Sequence, residues 1–196
     1  MGTGMVKPER LELYTGRAAK GASGDFAELG CYAGRTTSML CKLGKQHARM
    51  VHAIDSFKGM GEPGPNDGEN YPKGKFDVGG VDGFAKLMSA QGLVLGHDYK
   101  AHAGYVPEVL YWADPELATL RLSFAYLDLD HYEPTLHALR WLWEHVYPGG
   151  VILCDDYDAP DGPHALAALA LREWLGAKGE ALHWDELSDD QVVIFR

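Results

Sequence analysis

Short apolar runs alternate with amphipathic runs along most of the chain, and this alternation limits the folds available to it. Residues 26–29 (FAEL), 50–55 (MVHAID), 99–103, 122–128 (LSFAYLD) and 151–155 (VILCD) read as strands, the last preceded by a Pro148-Gly149-Gly150 turn. Residues 34–43, 81–90 and 134–146 carry apolar side chains at helical spacing, and a further helix is expected to start within 107–112. Strands separated by helices of about ten residues form right-handed βαβ units and a parallel sheet. After an Ala/Leu-rich helix at 165–175, strands at 181–185 and 191–196 are joined by the short stretch ELSDD. That connection is too short for a crossover, so these two strands pair antiparallel. The pattern predicts an α/β fold: a doubly wound, mostly parallel seven-stranded sheet ending in an antiparallel hairpin. The whole chain, 1–196, reads as one domain, with no element assigned to the N-terminal segment 1–24.

The length of 196 residues fits a single core. With 18 Lys and Arg against 28 Asp and Glu, the net charge is −10, which argues against nucleic-acid or anionic-membrane partners. There is no apolar run of 18 residues and no apolar signal core at the N-terminus. Cys31, Cys41 and Cys154 form no close-spaced pair, which points to a reducing, cytoplasmic setting. The breaker-rich stretch 59–80 holds seven Gly and three Pro, too many for a regular element. A loop of this length is either a functional lid over a site or a surface insertion.

In such sheets ligands bind beyond the carboxyl ends of the strands, and the residues found there are informative. Strand one runs into Glu28-Leu29-Gly30-Cys31-Tyr32-Ala33-Gly34, a G-x-x-x-G loop that differs from both the dinucleotide fingerprint and the P-loop. Its glycines allow close backbone approach to a ligand, and Thr36 and Thr37 open the next helix, where N–H groups are presented. A tight strand–helix turn explains the loop about as well. Strand two ends at Asp55-Ser56. An acidic residue there commonly holds ribose hydroxyls, and Gly30 and Asp55 lie 25 positions apart, one βαβ step. Strands four and five end in Asp128-Leu129-Asp130-His131 and Cys154-Asp155-Asp156. Four carboxylates at neighbouring strand ends repel one another unless a cation neutralises them. An all-oxygen donor set suits Mg²⁺, Ca²⁺ or Mn²⁺. His131 lies inside this cluster, whereas His52 and most other histidines read as surface or packing residues, and Tyr126, Trp141, Trp143 and Trp174 as core.

The stretches FAELGCYAGRTTSML, AIDSFKGM and LDLDHYEPTLHALRWLWEHVYPGGVILCDDYD resemble the macrocin O-methyltransferase family. These are S-adenosylmethionine- and Mg²⁺-dependent enzymes that methylate sugar hydroxyls of natural products. The resemblance runs over about residues 6–196 and implies the Rossmann-like fold of class I methyltransferases. It implies cofactor binding by Glu28, Gly30, Gly34 and Asp55, which Thr36 at the helix start and Ser56 beside Asp55 are expected to join, and metal binding by Asp128, Asp155 and Asp156. It also implies a general base at Asp130, with His131 at a position where catechol-type relatives carry a basic residue. The acceptor implied is a sugar hydroxyl or vicinal diol on a small molecule, and a homo-oligomer is compatible with it. The sequence departs from the family in its short N-terminal segment and in His131, which stands where an apolar residue is common. The alternatives are a catechol-type O-methyltransferase, a haloacid-dehalogenase-type phosphatase and a non-catalytic nucleoside- or sugar-binding protein. The phosphatase is disfavoured because residues 131–154 contain no Lys.

Overall fold

A computed structural model of the chain describes residues 6–65, 67, 71–157, 165–179, 182–187 and 190–196. Its sheet comprises β1 (Asp25–Leu29), β2 (Val51–Asp55), β3 (Lys100–Ala103), β4 (Leu122–Leu127), β5 (Val146–Cys154), β6 (His183–Leu187) and β7 (Gln191–Phe195). The strand order is β3-β2-β1-β4-β5-β7-β6. The first five strands are parallel, and β7 runs antiparallel to both β5 and β6. This is the doubly wound sheet expected from the sequence, with β7 inserted between β5 and β6. Succession along the chain moves outward from β1 to β3 and then returns to β4 on the other side of β1. The crevice between the β1 and β4 ends is therefore the topological switch point.

Among the described residues five α-helices flank the sheet: α1 (Pro8–Gly21), α2 (Arg35–His47), α3 (Gly80–Ser89), α4 (Tyr132–His145) and α5 (Ala165–Lys178). Alternation along β4 sends Phe124 and Tyr126 to one core and Ala125 and Leu127 to the other. The first core takes Leu11 of α1, Leu40 of α2 and Phe84 of α3; the second takes Leu139 of α4 and Leu171 of α5. Each such fully buried Leu or Phe contributes about 1.5–3 kcal/mol of apolar burial. All three cysteines are free and buried. Among the described residues no helix is long and apolar enough to cross a membrane.

The structure departs from the sequence reading in four places. The N-terminal segment contains α1, which starts on Pro8 and buries Leu11, Tyr14, Thr15 and Ala18, a helical i, i+3, i+4, i+7 set; residues 1–5 lie outside the described residues. The Pro148-Gly149-Gly150 stretch is not a turn before β5 but part of it, accommodated by a register shift against β4 between Leu122 and Phe124. The helix expected after Pro107 is only a π turn, Val109–Ala113, followed by a 3-10 turn, Leu117–Thr119. Pro115 disfavours helical backbone at Asp114 and stops it there. The strand expected at 181–185 is β6, two residues later, and residue 181 lies outside the described residues.

The stretch 59–80, apart from residues 66 and 68–70, folds back on itself. Met60 N–H donates to Lys75 O at 2.8 Å and Gly74 N–H to Met60 O at 2.9 Å. Tyr71 is buried, and the Phe76 ring lies 4.9 Å from Tyr32 and 5.8 Å from Tyr71.

Candidate active site

A cleft of about 860 Å³ opens at the carboxyl ends of the parallel strands. That volume falls in the range of small-molecule and cofactor sites. One wall is made by the β1 loop and the end of β2, with Glu28, Gly30, Thr36, Asp55 and Ser56 all lining it. The opposite wall is made by the end of β4 and the start of α4, with Asp128, Asp130 and His131, and Asp156 joins from beyond β5. Met60, Tyr71 and Phe76 come from the 59–80 stretch, and Tyr105 and Val106 from the segment after β3.

Gly30 explains how the two walls come so close. It adopts φ +88°, and a Cβ there would lie 1.6 Å from the carbonyl oxygen of Asp128, so only glycine fits. Gly34 is different. It caps α2 at φ +78°, a Cβ on it would lie 2.5 Å from Met88 Sδ, and it does not line the cleft. The structure therefore gives Gly34 a packing role between α2 and α3.

Glu28 is buried and accepts a hydrogen bond from Thr37 Oγ1. Burial pushes its carboxyl well above the usual carboxylate range, against the lowering effect of Thr37 and with a smaller push from Asp55. Asp55 organises the loop. Its Oδ2 accepts from Cys31 N–H at 2.7 Å and Tyr32 N–H at 3.2 Å, and its Oδ1 accepts from Phe57 N–H at 2.7 Å. Ser56 Oγ also lies 3.3 Å from Asp55 Oδ1, so the carboxylate is braced from both sides of the β2 end. Ser56 Oγ donates to Gly59 O at 2.7 Å and so braces the start of the 59–80 stretch.

Across the cleft, carboxylate oxygens of Asp128, Asp130 and Asp156 all lie within 4.8 Å of one another. Desolvation pushes the Asp128 carboxyl well above its ordinary range, and the neighbouring charges of Asp155, Asp156 and Asp130 add to the shift. Such a group is stabilised by a hard divalent cation, which accepts oxygen donors and cancels the repulsion, so the donor chemistry fits Mg²⁺.

Asp155, expected in the metal set, is placed otherwise. Its Oδ2 accepts from the Tyr126 hydroxyl at 2.6 Å and its Oδ1 from Gln191 Nε2 at 3.1 Å, and it does not line the cleft. The convergent triad thus has Asp130 where the sequence expectation has Asp155. The physical reason is backbone: Asp130 and Asp156 adopt φ +59° and +63°, which redirects the side chains just past the strands.

His131 is buried at the N-terminus of α4, with Nε2 3.1 Å from Tyr71 O and Nδ1 3.8 Å from Asp67 Oδ2. A nitrogen facing a carbonyl carries the hydrogen, so Nε2 is a donor here. His131 ties α4 to the 59–80 stretch. Asp67 strengthens that tie by accepting from Tyr132 N–H and Gly64 N–H, each at 2.8 Å.

Sequence reasoning missed Asp67, Tyr71 and Gln191 as parts of the site and took Tyr126 as core alone, although its buried hydroxyl serves Asp155. Only the breaker-rich stretch gave a signal for the first two. It also missed a second polar cluster. His52 and His102 are fully buried, with His52 Nδ1 2.9 Å from His102 Nε2. His52 Nε2 lies 3.3 Å from Asp25 Oδ2, and His102 Nδ1 lies 2.7 Å from Asp114 Oδ2.

The doubly wound sheet thus brings a glycine loop, an acidic β2 end and a carboxylate cluster around one cleft. Residues 27–157 match the family model described as a methyltransferase domain, and the chain belongs to that family. It is 28% identical over 158 residues to the 8-demethyl-8-(2,3-dimethoxy-alpha-L-rhamnosyl)-tetracenomycin-C 4'-O-methyltransferase of Streptomyces olivaceus. That match covers 71% of this chain and 55% of the relative, so the chain spans about half the length of the curated relative it matches. Among solved structures, the O-methyltransferase NovP superposes with a TM-score of 0.77 at 20% identity, covering 96% of this chain and 78% of NovP. The calicheamicin methyltransferase CalS11 gives a TM-score of 0.77 at 20% identity, covering 96% of this chain and 77% of its own. At these identities the structural likeness establishes the fold.

Proposed function

We propose that the chain is an S-adenosylmethionine- and Mg²⁺-dependent O-methyltransferase whose acceptor is a hydroxyl of a sugar or related small natural product. The observation that carries this reading is a single cleft with the Gly30–Asp55 wall on one side and three convergent carboxylates on the other. The relative from Streptomyces olivaceus, a 4'-O-methyltransferase of a rhamnosyl compound, supports the acceptor class.

Glu28, Gly30, Thr36, Asp55 and Ser56 would hold the cofactor, which supplies an activated methyl group. Asp128 and Asp156 would hold the metal ion; when bound, it supplies a Lewis acid that lowers the pKa of a coordinated hydroxyl. Asp130, third of the convergent group, receives the acceptor proton. His131, its Nε2 occupied by Tyr71 O, holds the neighbouring stretch. Asp155 supports the site from behind through Tyr126 and Gln191. The described part of the stretch 59–80, which lines the cleft through Met60, Tyr71 and Phe76, would serve as a lid over the acceptor.

A catechol-type acceptor is the second reading. It is favoured by the aromatic side chains of Tyr32, Tyr71, Phe76 and Tyr105 that line the cleft and could stack on a phenolic ring.

Calorimetry with S-adenosylmethionine, with and without Mg²⁺, followed by transfer of labelled methyl to a panel of sugar and phenolic acceptors, tests the proposal. Cofactor binding that survives EDTA together with turnover that does not is the expected result. Full turnover in EDTA removes the metal from the reaction, and absence of cofactor binding removes the enzyme reading.

A further inference from the structure

The 59–80 stretch does more than cover the cleft: it places one polar atom among the acids. Tyr71 is 6% exposed, lines the cleft, and sits with its ring 5.8 Å from Phe76 and 6.3 Å, edge-on, from His131. Its backbone carbonyl is held by His131 Nε2 at 3.1 Å, and Lys75 Nζ lies 4.0 Å above its ring. The backbone and the ring are thus held by neighbours, and the phenol shares the cleft with the carboxylates of Asp128, Asp130 and Asp156. Burial pushes the phenol of Tyr71 well up, and the charges of Asp130, Asp156 and Asp128, with a hydrogen bond to Asp130, push it further. The phenol is a donor facing a group of acceptors, an arrangement that ring packing alone would not need, since phenylalanine fills the same space.

Asp130 has reason to be held. It stands at φ +59° on the turn past β4, and the terminal torsion of an aspartate is broad, so its backbone does not fix the direction of its oxygens. The carboxylates of Asp128 and Asp156 repel it from nearby. A proton acceptor must lie within hydrogen-bond reach of the group it serves, and a misplacement of about 1 Å can cost 10²-fold in rate. We propose that Tyr71 is a positioning residue for methyl transfer, whose phenol, brought in through the His131–Tyr71 backbone contact, holds the Asp130 carboxylate in the orientation that receives the acceptor proton. The proposal rests on the reading of Asp130 as the base.

The test is Tyr71→Phe in the full chain, assayed with Mg²⁺, labelled S-adenosylmethionine and the acceptor that the wild type turns over. Removing only the hydroxyl leaves the ring contacts and the carbonyl held by His131. The expected result is a fall in kcat of about 10- to 100-fold with the acceptor KM within about twofold, since a group acting only in the transition state lowers kcat alone. Protease cleavage within 59–80 should match the wild type. In an Asp130→Asn background the same substitution should cost nothing further, because two residues acting through one atom are not additive. Wild-type kcat in Tyr71→Phe overturns the role. So does a matching rise in KM with faster cleavage, which would reduce Tyr71 to packing, and so does a full additive loss on Asp130→Asn. A wild-type chain that binds no S-adenosylmethionine and transfers no methyl overturns the enzyme reading itself, which a silent Tyr71→Phe in an active enzyme does not.

Discussion

Asp128 shows how a functional group can cost stability. Its carboxyl is pushed well above the ordinary range by desolvation first and then by the charges of Asp155, Asp156, Asp130 and Glu28, so its ionised form costs stability. Asp128→Asn removes that charge at nearly constant volume. In EDTA the variant should melt about 2–4 °C above the wild type for each kcal/mol of repulsion relieved. Added Mg²⁺ should raise the wild-type melting point by linkage and leave the variant unchanged; scanning fluorimetry with and without the ion reads both. By the same assay Asp155→Asn should still respond to Mg²⁺, because its oxygens serve Tyr126 and Gln191 and not the cleft. Asp55 belongs to the other wall. Asp55→Ala should weaken S-adenosylmethionine binding by about 1.5–3 kcal/mol, the range for hydrogen bonds to a charged group. It should also lower the melting point, because Cys31 and Tyr32 N–H lose their acceptor. Unchanged cofactor affinity in calorimetry would take Asp55 out of the site.

At the scale of elements, the strands were legible because each is a short apolar run with helical periodicity on either side. Crossover length made the first five strands parallel, but their order is seen only in the structure. The first helix was equally legible and was passed over: Lys7-Pro8 opens it, and Leu11, Tyr14, Thr15 and Ala18 mark its buried face. What could not be read was the aim of side chains just past a strand. Alternation fixes direction only while the backbone stays extended. Asp130 and Asp156 leave it through left-handed residues, so pattern alone did not show which of the four carboxylates converge, and Asp155 entered the metal set through the resemblance where geometry brings in Asp130. The loop glycines show the same limit. Both read as ligand contacts, yet Gly34 faces Met88 and Phe84 of α3. Gly34→Ala should therefore destabilise the fold by about 2 kcal/mol, from a left-handed backbone with a Cβ and a side-chain clash. Urea denaturation measures this. Cofactor affinity, extrapolated to the folded fraction, should stay near wild type, and a loss of affinity at unchanged stability would return Gly34 to the ligand site.

Over the whole molecule, two groups of acids respond to pH with opposite signs. Asp128 and Glu28 have folded-state carboxyls raised well above their ordinary values, chiefly by burial. As pH falls from neutrality the native state takes up their protons before the unfolded chain does, so metal-free stability should rise on moderate acidification. Asp25 and Asp114 behave the other way. Burial alone would raise them, but hydrogen bonds with His52 and His102, backbone donors and the same imidazole charges hold both below the usual 3.8. Arg49 also lowers Asp25, while Lys100 and Glu116 form an ion pair beside the cluster. The stability from Asp25 and Asp114 is fully present above their ordinary value and is lost as pH falls through the lower folded one. The cluster ties β1, β2 and β3 to the turn that precedes β4, so its loss loosens the edge of the sheet that carries the β2 wall of the cleft. Urea unfolding of the EDTA-treated protein from pH 8 to pH 2.5 should give a stability maximum on the acid side of neutrality, with a fall below about pH 4. Saturating Mg²⁺ should flatten the rise between pH 7 and the maximum, since the bound ion holds the cleft acids ionised. Asp114→Asn should flatten the acid fall and leave the upper limb alone. A monotonic fall from pH 8 downward in EDTA would contradict the raised carboxyls, and an acid fall identical in Asp114→Asn would remove the histidine cluster as its source.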